Sequence, residues 1–145
     1  MTGPFRIKEQ ASEREIAAII RDLTGWDARR KVRNGEECSG LEGVPGWTIE
    51  VKRRAGVTRT DIARWWSQAS EKARREVKLP VLLFRGDRDQ WRAVWPLPAH
   101  LRTQSVDRWR DYAWTVEGSP KAWAAAAREF AIPRSAVAEL KRRGD

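Results

Sequence analysis

Gly43-Val44-Pro45-Gly46-Trp47-Thr48-Ile49-Glu50-Val51-Lys52-Arg53 is the stretch on which the reading of the fold turns. A Gly/Pro turn is followed by alternating β-formers, so Trp47 to Lys52 reads as a strand. Side chains alternate along a strand, which puts Glu50 and Lys52 on one face and Val51 on the other. A carboxylate and an amine at that spacing suit metal-dependent phosphodiester hydrolysis. The carboxylate can hold Mg²⁺, a hard cation that prefers oxygen ligands, and the Val51 carbonyl could add another oxygen. The metal would polarise the phosphoryl group and help make hydroxide from bound water. The ammonium would orient that water or neutralise charge developing on the phosphorane oxygens. An E-x-K tripeptide is also common on solvated sheet faces, so its surroundings must carry the argument.

Upstream, Ser12 and Glu15 have capping-box spacing, which predicts a helix starting at Ser12 with Glu15 as the cap partner. Ile16, Ile19, Ile20 and Leu23 then form one apolar stripe. Glu13 lies three residues before Ile16 and so points at the buried face, where a carboxylate costs free energy unless paired. Thr24-Gly25 ends this helix. Trp26 to Val32 reads as a strand, and residues 34–46 as a Gly/Pro loop.

Downstream, residues 53–59 form a basic connector. A second helix after Thr60 presents Ile62, Trp65, Trp66, Ala69 and Ala73, with Gln68 toward the margin of that side. Adjacent Trp65 and Trp66 cannot both face one core squarely, so one is expected to reach a partner subunit. Pro80 to Phe84 is a buried strand, Gly86-Asp87-Arg88-Asp89 a turn, and Trp91 to Trp95 the returning strand of a hairpin. Tyr112 to Val116 reads as a strand, and Ser119-Pro120 opens an alanine-rich helix through Phe130. Pro133 breaks that helix, and a basic one ends at Leu140 and Lys141. The expected class is α/β, a mixed central sheet flanked by helices. Residues 1–96 form the core, and residues 97–145 a C-terminal helical appendage on the core or at a dimer interface.

Composition narrows the functions. The chain has 145 residues, one cysteine and one histidine, so disulfide frameworks and Cys/His zinc sites lack members. A Ser-His-Asp enzyme would rest on His100 alone. No signal-peptide pattern or membrane-length apolar run occurs, which points to a soluble cytoplasmic protein. Lys plus Arg is 29 against 20 for Asp plus Glu, a formal net charge of +9. That balance favours a polyanionic partner, held with steep salt dependence.

The quoted stretch resembles the motif of PD-(D/E)XK nucleases. It is most similar to Holliday junction resolvases of archaea and to the resolvases carried by phages. The resemblance spans about residues 10–95. Glu13-Arg14 resembles the Glu-Arg pair of the resolvases' first helix, where the Glu contributes to the metal site. Glu50 and Lys52 match the E-x-K. Trp65-Trp66-Ser67-Gln68-Ala69 resembles the W-x-Q-A helix of the phage members, which would bring Gln68 near the active site. Pro80 to Arg85 resembles their next strand. The resemblance implies a restriction-endonuclease-like core, Mg²⁺ with Mn²⁺ as a possible substitute, and a homodimer nicking both sides of a four-way DNA junction. Recognition would be by branched shape through backbone contacts.

One position departs from the pattern. The family places an acidic residue, usually Asp, three positions before the glycine of G-x-P-G, and here that residue is Gly40. Either Glu42 or Glu37 takes over as metal ligand, or the site is disabled while DNA binding remains, or the register is shifted. The alternatives are therefore a branched-DNA-binding protein that does not cut, and a nuclease of nicked, flapped or foreign duplex DNA. Arg29, Arg30, Lys31, Arg33, Arg53, Arg54 and Arg59 bracket the site in sequence and are expected to grip phosphates. Most of the nine tryptophans are expected in the core or a dimer seam rather than stacked on bases. Cys38 and His100 are expected to be inert, and Lys141-Arg142-Arg143 a frayed end.

Overall fold

The computed structural model describes residues 4–98 and 106–130. His100, Pro133 and the basic tail lie outside the described residues. Helix α1 spans Pro4–Thr24 and is followed by strands β1 (Arg29–Arg33), β2 (Glu36–Glu42) and β3 (Trp47–Arg54). Helix α2 (Arg59–Glu76) leads into β4 (Leu79–Gly86) and β5 (Arg92–Pro96). A short helix α3 (Val106–Trp109) and a 3-10 turn (Tyr112–Trp114) precede β6 (Thr115–Gly118) and helix α4 (Pro120–Phe130). The main sheet has the order β3-β4-β5-β6 and is mixed, with β3–β4 parallel and the other two pairings antiparallel.

Alternation along the strands sorts the molecule into layers. Trp47, Ile49, Val51, Val81 and Leu83 pack with Ile16 and Ile20 of α1 and Trp123 of α4. Leu82, Phe84 and Val94 face Ile62, Trp65, Trp66 and Ala69 of α2. Helices therefore cover both faces, the α/β arrangement expected from the element order. Trp123 meets Trp47 edge-on at 5.5 Å, so α4 joins the same core as β3. Seven of the nine tryptophans are buried, which is packing rather than a stacking platform.

Several sequence expectations are corrected. Ser12 is not an N-cap; it lies inside α1 and is buried, and Glu15 accepts from the Trp91 indole at 2.8 Å. The expected loop over residues 34–46 contains β2, which pairs antiparallel with β1 around a two-residue Asn34-Gly35 turn. Trp65 and Trp66 are both buried, since Trp65 sits beneath Phe84 and Trp66 donates its indole N–H to the Trp109 carbonyl at 3.1 Å. Of the strand expected over residues 112–116, only Thr115 and Val116 belong to one. The cap of α2 lies at Thr58, where a capping box with Asp61 closes at 3.0 and 3.1 Å.

Helix α2 ends on an unusual cap. Val77 takes the left-handed conformation (φ 57°, ψ 49°) that glycine normally supplies, and its side chain is 89% exposed. A β-branched residue is strained there and gains nothing from burial. Val77→Gly is expected to stabilise the protein by about 1 kcal/mol, the relief of strain exceeding the added chain entropy. Thermal unfolding should show a rise of about 3 °C.

Candidate active site

Glycine is required where the motif meets the rest of the fold. Gly43 has φ +92°, and a Cβ on it would strike the Asp27 carbonyl. That close approach seats β2 and the turn against the start of β1. It also delivers Gly40 to the margin of β3. A small polar cavity of about 70 Å³ opens there, lined by Glu9 and Glu13 of α1, Ser39 and Gly40 of β2, residues 49–52 of β3 and Lys72 of α2.

Glu50 and Lys52 share the face turned to α2, and Lys52 Nζ stands 3.5 Å from Glu50 Oε1. Lys72 approaches the other oxygen of Glu50 at 4.0 Å. Glu13 enters from the opposite layer. Its Oε2 accepts the Gly40 N–H at 2.7 Å and lies 3.6 Å from Arg30 Nε. Burial raises the Glu13 pKa, and the Gly40 amide and the Arg30 guanidinium offset part of that rise. Two layers of the fold thus converge on one cavity, from positions 37 residues apart in sequence.

The raised pKa has a testable consequence. A carboxyl with a raised folded pKa favours the protonated form, so its penalty grows as pH rises through the ordinary glutamate range and levels off beyond the folded value. The stability of the wild type relative to Glu13→Gln should fall across that window and be flat below it. Urea unfolding of both proteins from pH 4 to 8 checks the sign, because the paired difference cancels the other carboxylates.

Of the site residues read from sequence, Glu13, Gly40, Glu50 and Lys52 come together. The others separate. Glu42 faces the β1–β2 ribbon, where it accepts from the Val32 amide at 3.3 Å and lies 3.7 and 3.6 Å from Arg29 and Arg33. Glu37 is held by Arg14 at 2.8 Å and Arg30 at 2.9 Å, and those guanidinium groups lower its pKa. Neither lines the cavity, whereas Gly40 stands at its wall. Gln68 is exposed on α2 and does not reach the cavity; Lys72, one turn further on, does.

The basic residues also divide. Arg30 is 6% exposed and committed to Glu13, Glu37 and the Cys38 carbonyl, so it orders the site rather than gripping a ligand at the surface. Lys31 pairs with Glu76 at 3.2 Å, Arg53 with Asp87 at 3.1 Å, and Arg54 lies over the Trp65 ring. Arg29 pairs with Asp27 at 2.7 Å and Arg33 approaches Glu42 at 3.6 Å, but both are exposed, as is Arg59, so their ion pairs are open to exchange with a phosphate.

Sequence reasoning missed Glu9 and Lys72. Glu9 is one helical turn before Glu13, a signal that a helix start placed at Ser12 conceals. Lys72 falls three residues after Ala69, beside the apolar stripe of α2, as Glu13 does on α1.

Among the described residues no group of three or more His, Cys, Asp or Glu side chains is gathered to hold a metal ion, and no helix is long and apolar enough to cross a membrane. Glu13 and Glu50 nonetheless offer oxygen donors to one small polar cavity, which fits a single hard cation completed by water. Comparison with known proteins bears on the chemistry. A search of curated proteins returned no match. A family model described as "Phage putative PDDEXK endonuclease" matches residues 6–119, a span that takes in nearly all of α1, the cavity and all six strands. By that match, over most of its length, the chain belongs to the phage putative PDDEXK endonuclease family.

Proposed function

We propose that the chain is a divalent-metal-dependent endonuclease of branched DNA, with a four-way junction as its foremost substrate. The observation that carries the chemistry is the meeting of Glu13, Glu50 and Lys52 at one polar cavity. Glu13 and Glu50 are the residues that would hold Mg²⁺, or Mn²⁺ in its place. A bound ion would supply Lewis-acid polarisation of the phosphoryl group and a water of lowered pKa. Glu13 must then give up any proton that its burial favours. Lys52 sets a positive charge beside Glu50, where it can orient the attacking water or neutralise charge on the phosphorane oxygens.

A DNA partner is supported by the net charge of +9 and by Arg29, Arg33 and Arg59, which are exposed and can follow a phosphate backbone without reading bases; the branched shape comes from the resolvase-like motif. Paired nicks across a two-fold junction call for two copies of this cavity, hence a homodimer.

Gly40 favours a second reading, a DNA-binding protein that keeps the nuclease fold and does not cut. The two readings separate in one assay. Labelled four-way junction, flap and linear duplex are incubated with Mg²⁺ and with EDTA. Junction-selective, Mg²⁺-dependent nicking supports the first reading. Equal cutting of linear duplex makes the chain a nuclease of other DNA. Tight binding without nicking supports the second reading, and neither binding nor nicking overturns both.

A further inference from the structure

Two ammonium groups flank Glu50 without hydrogen-bonding to it. Lys52 Nζ is 3.5 Å from one oxygen and Lys72 Nζ 4.0 Å from the other. Neither donates a hydrogen bond among the described residues. Their side chains are only 17% and 27% exposed. Ammonium donors so sheltered, and not spent on protein acceptors, are suited to an oxyanion entering the cavity between them.

The position of Lys72 follows from the helix. It lies between Ala69 and Ala73, both fully buried against the sheet, so its stem packs inward while its tip meets the cavity. Room for that tip depends on residue 40. A Cβ at Gly40 would stand 3.4 Å from Lys72 Nζ and 3.3 Å from the Lys31 stem. Where the resembled nucleases carry a carboxylate, this chain has no side chain and an ammonium close by.

We infer that Lys72 is a second phosphate-binding group of the cavity, which together with Lys52 holds the nonbridging oxygens of a nucleic-acid phosphate and competes with a divalent cation for Glu50. The inference rests on the nuclease-site reading above. Its consequences have opposite signs. Removing the charge takes away one phosphate contact, which weakens DNA binding. It also removes a positive charge near Glu50, which strengthens cation binding.

The test uses the full chain as wild type, Lys72→Met, Lys72→Ala and Lys72→Arg. Methionine keeps a long unbranched stem for packing, and equal melting temperatures verify folding. A fluorescent four-way junction is titrated in EDTA over a range of salt, and Mn²⁺ alone is titrated by electron paramagnetic resonance. In Lys72→Met and Lys72→Ala, junction affinity should fall about tenfold, with the log–log salt slope shallower by about 1. Mn²⁺ affinity in the same variants should rise about tenfold. Lys72→Arg should keep the wild-type slope. Junction and Mn²⁺ affinities falling together, or an unchanged salt slope, would overturn the assignment and leave Lys72 a structural role. A wild type that binds no junction in EDTA would instead overturn the nucleic-acid reading itself.

Discussion

Gly40→Asp is expected to speed Mg²⁺-dependent nicking of a four-way junction by about two orders of magnitude and to cost about 1–3 kcal/mol of stability. The gain follows from the cavity. Gly40 stands on its wall, and its amide already touches the Glu13 carboxylate at 2.7 Å. A carboxylate there would join Glu13 and Glu50 as an oxygen donor, with the Lys72 ammonium close enough to compensate its charge when no cation is bound. The cost follows from the backbone. Gly40 has φ +107°, a conformation that residues with a side chain rarely adopt, and the Lys31 stem must give by a few tenths of an ångström. Single-turnover nicking and urea unfolding measure the two effects. A variant that is stable yet gains no cleavage would count against residue 40 as the limiting position.

Lys52→Ala is expected to lower the nicking rate by about 10²–10³-fold, in the wild type and in the Gly40→Asp background alike. Lys52 is the cation nearest Glu50, and its ammonium makes no hydrogen bond to the described residues, so its charge is available to the reaction. Stability should change by less than about 1 kcal/mol, because Lys72 still faces Glu50 and no buried partner is orphaned. Single-turnover rates at saturating enzyme separate the chemical step from binding. If only the half-saturating enzyme concentration changed, Lys52 would be a binding group alone.

The legible parts of this protein were those where local pattern and tertiary role agree. Trp47 to Lys52 alternates because one face of β3 meets α1 and the other α2. Glu13 stood out because a carboxylate beside an isoleucine stripe needs a partner, which the Gly40 amide and Arg30 provide. The β1–β2 ribbon was only half legible, β1 mostly within the strand expected over Trp26 to Val32 and β2 not at all, for a physical reason. Its strands carry few β-formers, and charge pairs the two: Arg29 lies opposite Glu42 and Arg33 opposite Glu36. Taken as a loop, residues 34–46 left Glu37 and Glu42 free to reach the metal; as a strand, β2 commits both to arginines elsewhere.

The burial of Trp66 was equally hidden. It depends on the segment around Trp109, 43 residues away, folding back over α2. The start of α1 was obscured by Ser12 and Glu15, whose capping-box spacing is local, whereas their surroundings are not. Ser12 is buried inside the helix, and Glu15 meets Trp91 and Arg85 from the β4–β5 hairpin. Lys72 followed the same logic as Glu13, a charged side chain beside an apolar stripe, and that signal was present in the sequence of α2.

The most direct test of the account is whether DNA is cut at Glu50. Single-turnover nicking of a four-way junction by Gly40→Asp should be measured across Mg²⁺ concentrations and in EDTA, beside Gly40→Asp/Glu50→Gln. The account predicts nicking that saturates with Mg²⁺, vanishes in EDTA and is lost with Glu50→Gln. Equal nicking with and without Glu50, or none by the folded Gly40→Asp protein at any Mg²⁺ concentration, would contradict it.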